Sequence, residues 1–387
     1  MSAAKRFSAL DSLRGISAIL VLCLHIRVLN SITETTFIRN AFYFVEFFFV
    51  LSGFVMYYTY SQKPFNKLRF RNYLIGRFFR LYPLHFVMLV VTVLIEFFKL
   101  YIASKGYDVQ TPGFIDKADP AYLIPTVLLL QGWMNNVPSG AFNIVAWSLS
   151  IEFYVNVFMG LLLFKSTSTR TIIFMLLTAI PVALLCTGNH LLKNEVYRGV
   201  AYFFAGCMTY QVYARTQHLK RNPTLFSIIE ICLVLAMYFM VTYLPENNFK
   251  SPILAMLFAL SVWTFAGETG IISRLLNIKP LLTAGKLSFS IYLIHIKLWF
   301  CFTALTLIIA RITHFNITAN MVINKELVRI IPTSNMLTGN LALLLFVLFT
   351  AAVASFTYKV VEVRWIEKGK RFRIKEPAPA PQPVTTT

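Results

Sequence analysis

The chain has 387 residues, of which 57% are hydrophobic and only 13% charged, against about 45–50% and about 25% in an ordinary soluble domain. One soluble core cannot hide that much apolar surface, so the composition excludes a globular soluble protein and indicates an integral membrane one. The formal charge of +20 would suggest nucleic acid for a soluble chain, but here Lys and Arg sit in short segments between apolar runs, the pattern of cytoplasmic loops beside a lipid bilayer, so no nucleic-acid partner is expected.

A helix needs about 20 mostly apolar residues to cross the hydrocarbon core. Such runs predict ten spans, at roughly 13–30, 38–60, 81–101, 144–164, 171–188, 197–214, 224–244, 252–267, 287–309 and 338–358. The run at 121–133 is short and broken by Pro125, and reads as an interfacial or re-entrant piece. Ten spans put both termini on one side. With the N-terminus inside, the inner segments hold 23 Lys and Arg and the outer segments 7, which places both termini in the cytoplasm. The fold class is all-α, a polytopic membrane bundle of about ten transmembrane helices. One membrane domain covers 1–362, and 363–387 is a basic, then Pro-rich, disordered cytoplasmic tail. The first apolar run has no small-residue cleavage site and is expected to stay as the first span. The five cysteines fall inside apolar runs, with no CxxC and no nearby histidine, so neither a disulfide framework nor a metal site is expected.

An ionisable group inside a span is costly and marks a functional candidate. In the first span, Arg14 and His25 are eleven residues apart, close to three helical turns, so both face the same way about 16 Å apart along the axis. Asp11 lies on nearly the same face and can pair with Arg14. A stripe of this kind points into the bundle, where a neutral imidazole accepts a proton; the plainer alternative has Arg14 snorkelling to headgroups and His25 packed and hydrogen-bonded. Glu46 sits among seven aromatics of residues 42–54 and requires a cation or a proton, its plain role being structural pairing with an arginine. Ser52 and Gly53 permit close helix approach. The segment 63–83 carries six basic residues and no acid. Arg77 and Arg80 share a helical face there, suited to a pyrophosphate or nucleotide 3′-phosphate, while positive-inside bias and anionic lipid are the alternative. Glu152 lies about two turns into an otherwise apolar segment, behind Trp147 at the outer entrance of the fourth span. His295 sits in the ninth span with Lys297 close by. No HExxH, GxSxG, Walker A or GxGxxG template occurs, so any chemistry is built from side chains projecting into the bundle.

These pieces together resemble the acyltransferase-3 family of membrane acyltransferases. The matches run in order over nearly the whole membrane portion: LDSLRG with Arg14 and the following His25, FVEFFFVLSGF, RFFRLYP with Arg77 and Arg80, AWSLSIEFY with Trp147 and Glu152, and LSFSIYLIH with Tyr292 and His295. The resemblance implies cytoplasmic acyl-CoA, most often acetyl-CoA, as donor and co-substrate, and O-acetylation of a carbohydrate at the outer face of a bacterial cytoplasmic membrane. Family acceptors include O-antigen, exopolysaccharide, peptidoglycan and lipo-oligosaccharide. Many relatives add a periplasmic SGNH hydrolase-like domain; here the chain ends soon after the last span, so the membrane part transfers the group itself or passes it to a separate periplasmic partner. Lys297 stands where many relatives have proline.

The expected roles follow. Arg77 and Arg80 hold the donor phosphates, and His25 is general base or transient acyl carrier. Arg14, oriented by Asp11, stabilises developing charge. Glu152 grips sugar hydroxyls or tunes a base, with Trp147 as stacking surface; Glu46, Ser52, Tyr292 and His295 bind substrate or hold structure. The rival class is a secondary transporter or flippase using Arg, His and Glu as an intramembrane pathway.

Overall fold

The computed structural model describes residues 6–106, 112–189, 191–323 and 326–374. Its order is α1 (Ser8–His25), α2 (Thr36–Arg39), α3 (Phe44–Ser61), α4 (Lys67–Ser104), α5 (Leu123–Val127), α6 (Ala146–Leu162), α7 (Thr167–Cys186), α8 (Asn194–Thr216), α9 (Pro223–Tyr243), α10 (Lys250–Phe265), α11 (Ile271–Leu276), α12 (Lys279–Thr313), a hairpin of β1 (Ala319–Ile323) and β2 (Glu326–Ile330), α13 (Met336–Thr357) and α14 (Arg364–Phe372). A helix occupies each of the ten expected runs. Among the described residues seven helices are long and apolar enough to cross a membrane, while α6 and α10 are apolar but shorter. The eighth helix is long yet carries Asn194, Glu195, Arg198, Gln211 and Arg215.

Three boundaries differ from the sequence reading, each for a local reason. The first helix lies five residues earlier than expected. It starts early because the Glu268 carboxylate accepts the N–H of Ala9 at 3.0 Å, capping its N-terminus from another loop. It ends at His25 because Ile26 turns extended and Val28 bridges Ile331, with Leu29 N donating to Ile331 O at 3.0 Å. The fourth helix begins at Lys67, fourteen residues ahead of the expected span, so Arg77 and Arg80 lie within it rather than in a loop. Asn66 caps it by accepting the N–H of Arg69 at 2.9 Å. At 38 residues it is about 57 Å long, well beyond a hydrocarbon core of about 30 Å.

The third difference concerns the tail. Residue 363 does not begin a disordered segment: α13 runs through a π-helical stretch, Tyr358–Val363, straight into α14. The aromatic side chains Trp365 and Phe372 give α14 a face that packs on Phe79 of α4. Residues 375–387 lie outside the described residues. The piece at 121–133 is the short helix α5 followed by irregular chain, and protein groups satisfy its backbone. His85 Nε2 meets the Thr126 carbonyl at 2.9 Å, Tyr154 donates to Leu128 O at 2.8 Å, and the Ser150 hydroxyl donates to Leu129 O.

Helix pairing positions the site. The broadest contacts are α1 on α12, α3 on α8 and α7 on α8. Helices α1 and α12 run parallel and touch through glycine. A Cβ on Gly15 would fall 2.5 Å from the Gly285 nitrogen, and one on Gly285 would fall 2.3 Å from the Asp11 carbonyl oxygen. Small residues let these backbones approach closely. Gly53 likewise rests on the Phe203 carbonyl of α8, the close approach that Ser52 and Gly53 imply.

Candidate active site

A cavity of about 410 Å³ opens between α1, α3, α4, α6 and α12 and is closed by the π-helical stretch and α14. Into it project Asp11, Arg14, Ser52, Arg77, Arg80, Glu152, Lys286, Tyr292 and Glu362, above apolar walls that include Phe48, Phe49 and Leu149. The structure thus gathers seven of the eleven sequence candidates in one chamber.

Arg14 is held tightly. Its Nη2 donates to Gly285 O at 2.7 Å and its Nε to Ser288 Oγ at 2.9 Å; the Asp11 carboxylate lies 3.3 Å from Nη2 and 2.8 Å from Arg6 Nε. The expected Asp11–Arg14 pair is present, and it docks α1 onto α12. Arg77 and Arg80 are different: neither has a hydrogen-bonded or ion-paired partner among the described residues, and Arg77 Nε is buried without one. Glu152 accepts from Ser52 Oγ at 2.7 Å. It shares the chamber of Arg77 and Arg80, because α6 runs antiparallel to α4, with Tyr73 donating to Asn156 O at 2.7 Å one turn away. Ser52 therefore does more than allow packing: it holds Glu152.

Farther along the contact of α1 with α12 stands a histidine pair outside the chamber. Tyr292 bounds the cavity there, its hydroxyl within 2.8 Å of Ser148 Oγ and donating to Val145 O at 3.1 Å, with its ring 6.2 Å from that of His295. His295 Nε2 then meets His25 Nδ1 at 3.2 Å. The remaining contacts fix the tautomers of the neutral rings. His295 Nδ1 lies 3.1 Å from Ile291 O and His25 Nδ1 lies 2.8 Å from Val21 O. A carbonyl only accepts, so each Nδ1 carries its proton, and the one His25 N–H is shared between Val21 O, the shorter contact, and the lone pair of His295 Nε2. That leaves His25 Nε2 with a bare lone pair and no protein partner among the described residues.

The remaining expectations resolve into structure. Glu46 is buried, 3.5 Å from Arg198 Nη1 and accepting from Ser251 Oγ at 2.7 Å, the plain arginine pairing. Trp147 does not line the chamber; it packs against Phe49 and under Arg198, whose guanidinium lies 5.8 Å from its ring.

Sequence reasoning missed four residues. Arg39 of α2 caps α1 just where His25 stands, donating to Leu24 O at 2.8 Å, Ile26 O at 3.1 Å and Cys23 O at 3.5 Å, and also to Thr33 O. Glu362 is buried, accepts from Ser290 Oγ and faces the charges of Arg80 and Arg14; a lone acid in the apolar run YKVVEV was its signal. Lys286 lines the chamber but in the sequence is one more basic residue of an inner segment. Ser288 holds Arg14 but carries no sequence signature of its own.

At the opposite end of the bundle, a shallow depression of about 520 Å³ lies between the chain around Asn135, Asn136 and Ser139 and the start of α8 at Asn194 and Glu195. No sequence candidate lines it. Among the described residues no group of His, Cys, Asp and Glu is arranged to hold a metal ion.

A family described as acyltransferase domain, the third of that name, matches residues 7–359. A protein of Rhizobium radiobacter named protein 2 in picA locus is 29% identical over 184 residues, which span 46% of this chain and 92% of that one. No solved structure matches.

Proposed function

Because the chain belongs to the acyltransferase-3 family, we propose that this membrane protein moves an acyl group, acetyl in the first instance, from acyl-CoA to a hydroxyl of a carbohydrate. Its two ends then face different substrates. The basic end, where α1 begins and α14 lies, meets the donor in the cytoplasm of a bacterial cell, and on this reading both termini are cytoplasmic. The amide-rich depression at the other end, with Asn135, Asn136, Asn194 and Glu195, suits a polyhydroxylated acceptor such as O-antigen, exopolysaccharide or lipo-oligosaccharide.

One observation carries this reading: unpartnered Arg77 and Arg80 of α4 share a chamber with Arg14 of α1, and a histidine with a bare Nε2 stands at the far end of α1 where it packs on α12. Guanidiniums bind phosphate oxygens, so the donor's nucleotide end rests at Arg77 and Arg80, and its pantetheine arm threads the chamber past Arg14 toward Tyr292. The thioester carbonyl reaches His25. As the acceptor oxygen attacks that carbonyl, His25 Nε2 takes the hydroxyl proton; collapse of the tetrahedral adduct expels the CoA sulfur, which recovers the proton from the imidazolium, and the new ester departs with the sugar. His295 Nε2 accepts the N–H of the imidazolium while it is charged. The apolar walls exclude water that would hydrolyse the thioester. The family match favours this reading over a secondary transporter or flippase.

The test is transfer of labelled acetyl from acetyl-CoA to an added glycan by protein purified into liposomes, wild type beside His25→Ala. Label on glycan with wild type alone supports the reading. Full transfer by His25→Ala removes His25 from the chemistry, and wild type that binds no acetyl-CoA removes the donor.

A further inference from the structure

We propose that the C-terminal helix α14, which lies beyond the family match, completes a phosphate site at the mouth of the chamber, formed by Arg373 together with Arg77. This rests on the acyl-CoA reading. The shared chemistry is a phosphate group, carried either by the donor's nucleotide end or by an anionic lipid headgroup.

Arg373 is placed by contacts on both sides. Asn72 of α4 grips the next residue twice: its Nδ2 donates to Ile374 O at 2.9 Å, and Ile374 N donates back to its Oδ1 at 3.1 Å. On the other side, Phe79 stacks on Phe372 with ring centroids 5.4 Å apart and planes 21° apart. Between these lies Gly76. A glycine inside a helix weakens it, and here the missing side chain is the space the arginine occupies: a Cβ on Gly76 would fall 2.1 Å from Arg373 Nη2. The guanidinium is thus seated on α4 one residue from Arg77.

Packing that neither guanidinium provides holds Arg373 against Gly76, the residue next to Arg77. Among the described residues neither has a hydrogen-bonded or ion-paired partner, and Arg77 Nε is buried without one. The acids of the chamber are engaged elsewhere: Glu362 by Ser290, Asp11 by Arg6 and Arg14, and Glu152 by Ser52. A phosphate bound by both forks would accept several charge-assisted hydrogen bonds at once. Ile366, about two turns before Arg373, lines the chamber, which puts the proposed site at its entrance.

The experiment compares acetyl-CoA with its 3′-dephospho form as donors, in nanodiscs of phosphatidylcholine with and without phosphatidylglycerol. Wild type, Arg373→Ala and Gly76→Ala, which displaces the guanidinium while keeping its charge, are run beside Lys368→Ala, whose ammonium lies over Trp365 instead. With a nucleotide phosphate in the site, Arg373→Ala and Gly76→Ala raise the KM for acetyl-CoA about tenfold at unchanged kcat, the size of one lost charge-assisted contact, and erase the preference for the 3′-phosphorylated donor; Lys368→Ala changes neither. With a lipid phosphate, donor KM is unmoved and retention of phosphatidylglycerol by native mass spectrometry falls in the same two variants. If neither donor preference nor lipid retention changes, the site is overturned. A wild type that uses neither donor fails the acyl-CoA reading instead, and lipid retention alone then decides the site.

Discussion

Replacing His295 isolates what the second imidazole contributes to the first. In His295→Leu the ring that accepts the His25 N–H at 3.2 Å is gone, while Val21 O at 2.8 Å remains and keeps the proton on Nδ1. His25 Nε2 is still bare, so the variant retains a base but loses the acceptor that stabilises its imidazolium. A hydrogen bond to a charged group contributes about 1.5–3 kcal/mol, which corresponds to a fall of roughly 10- to 150-fold in kcat, with donor KM unchanged because Arg77 and Arg80 are untouched. His295→Gln restores an acceptor oxygen on the same helix face and should recover part of that loss, which a purely packing role would not. The assay is initial-rate acetyl transfer in proteoliposomes at saturating donor, normalised to folded protein by size-exclusion profile. Unchanged kcat in His295→Leu would refute the coupling, as would a loss in His295→Gln equal to that in His295→Leu.

Other substitutions probe the frame around the pair and the donor end. Arg80→Ala should raise donor KM at least tenfold and leave kcat within a factor of about three, as uniform binding predicts; an unchanged KM would return this arginine to loop-charge bias. Arg39→Ala uncaps the carbonyls of Leu24 and Ile26 and should lower both melting temperature and kcat, each buried carbonyl left unsatisfied costing about 1–3 kcal/mol. Arg39→Lys should not rescue it, since one ammonium cannot replace a fork serving several oxygens; full activity of Arg39→Ala would show that α1 holds His25 without it. Gly15→Ala drives a methyl into the α12 backbone at Gly285 and should cost about 1–3 kcal/mol, read as a lower melting temperature in detergent, and an unshifted melt would mean the two helices are free to part.

Much of this architecture is legible in the sequence because lipid imposes a simple code. Long apolar runs locate helices, and intramembrane charges mark the interior, so Asp11, Arg14, Arg77, Arg80 and Glu152 fall into one chamber. What escaped is set by contacts between distant segments. The start of α1 depends on Glu268, its end on Arg39 and Ile331, and no local pattern in residues 8–30 announces them. Glu46 and Trp147 looked like site residues because a buried acid and an interfacial Trp carry the same signature whether they face a substrate or Arg198. The ordering of 364–374 escaped because its Lys and Arg read as tail, whereas its packing resides in Trp365, Gly369 and Phe372 against Phe79.

The glycine-sealed contact of α1 with α12 also acts as a gauge. Arg14 and His25 share one helix, and their partners Gly285, Ser288 and His295 share the other, so the separation of about 16 Å along the axis is main-chain geometry that no rotamer can alter. On the proposed mechanism, a donor whose arm passes Arg14 presents its carbonyl at a fixed station beside His25. Variation in the acyl group must then be accommodated beyond that station, near Tyr292 and the end of α1, and not among the cations. On that mechanism acyl-chain preference and donor affinity reside in separate parts of the molecule and change independently.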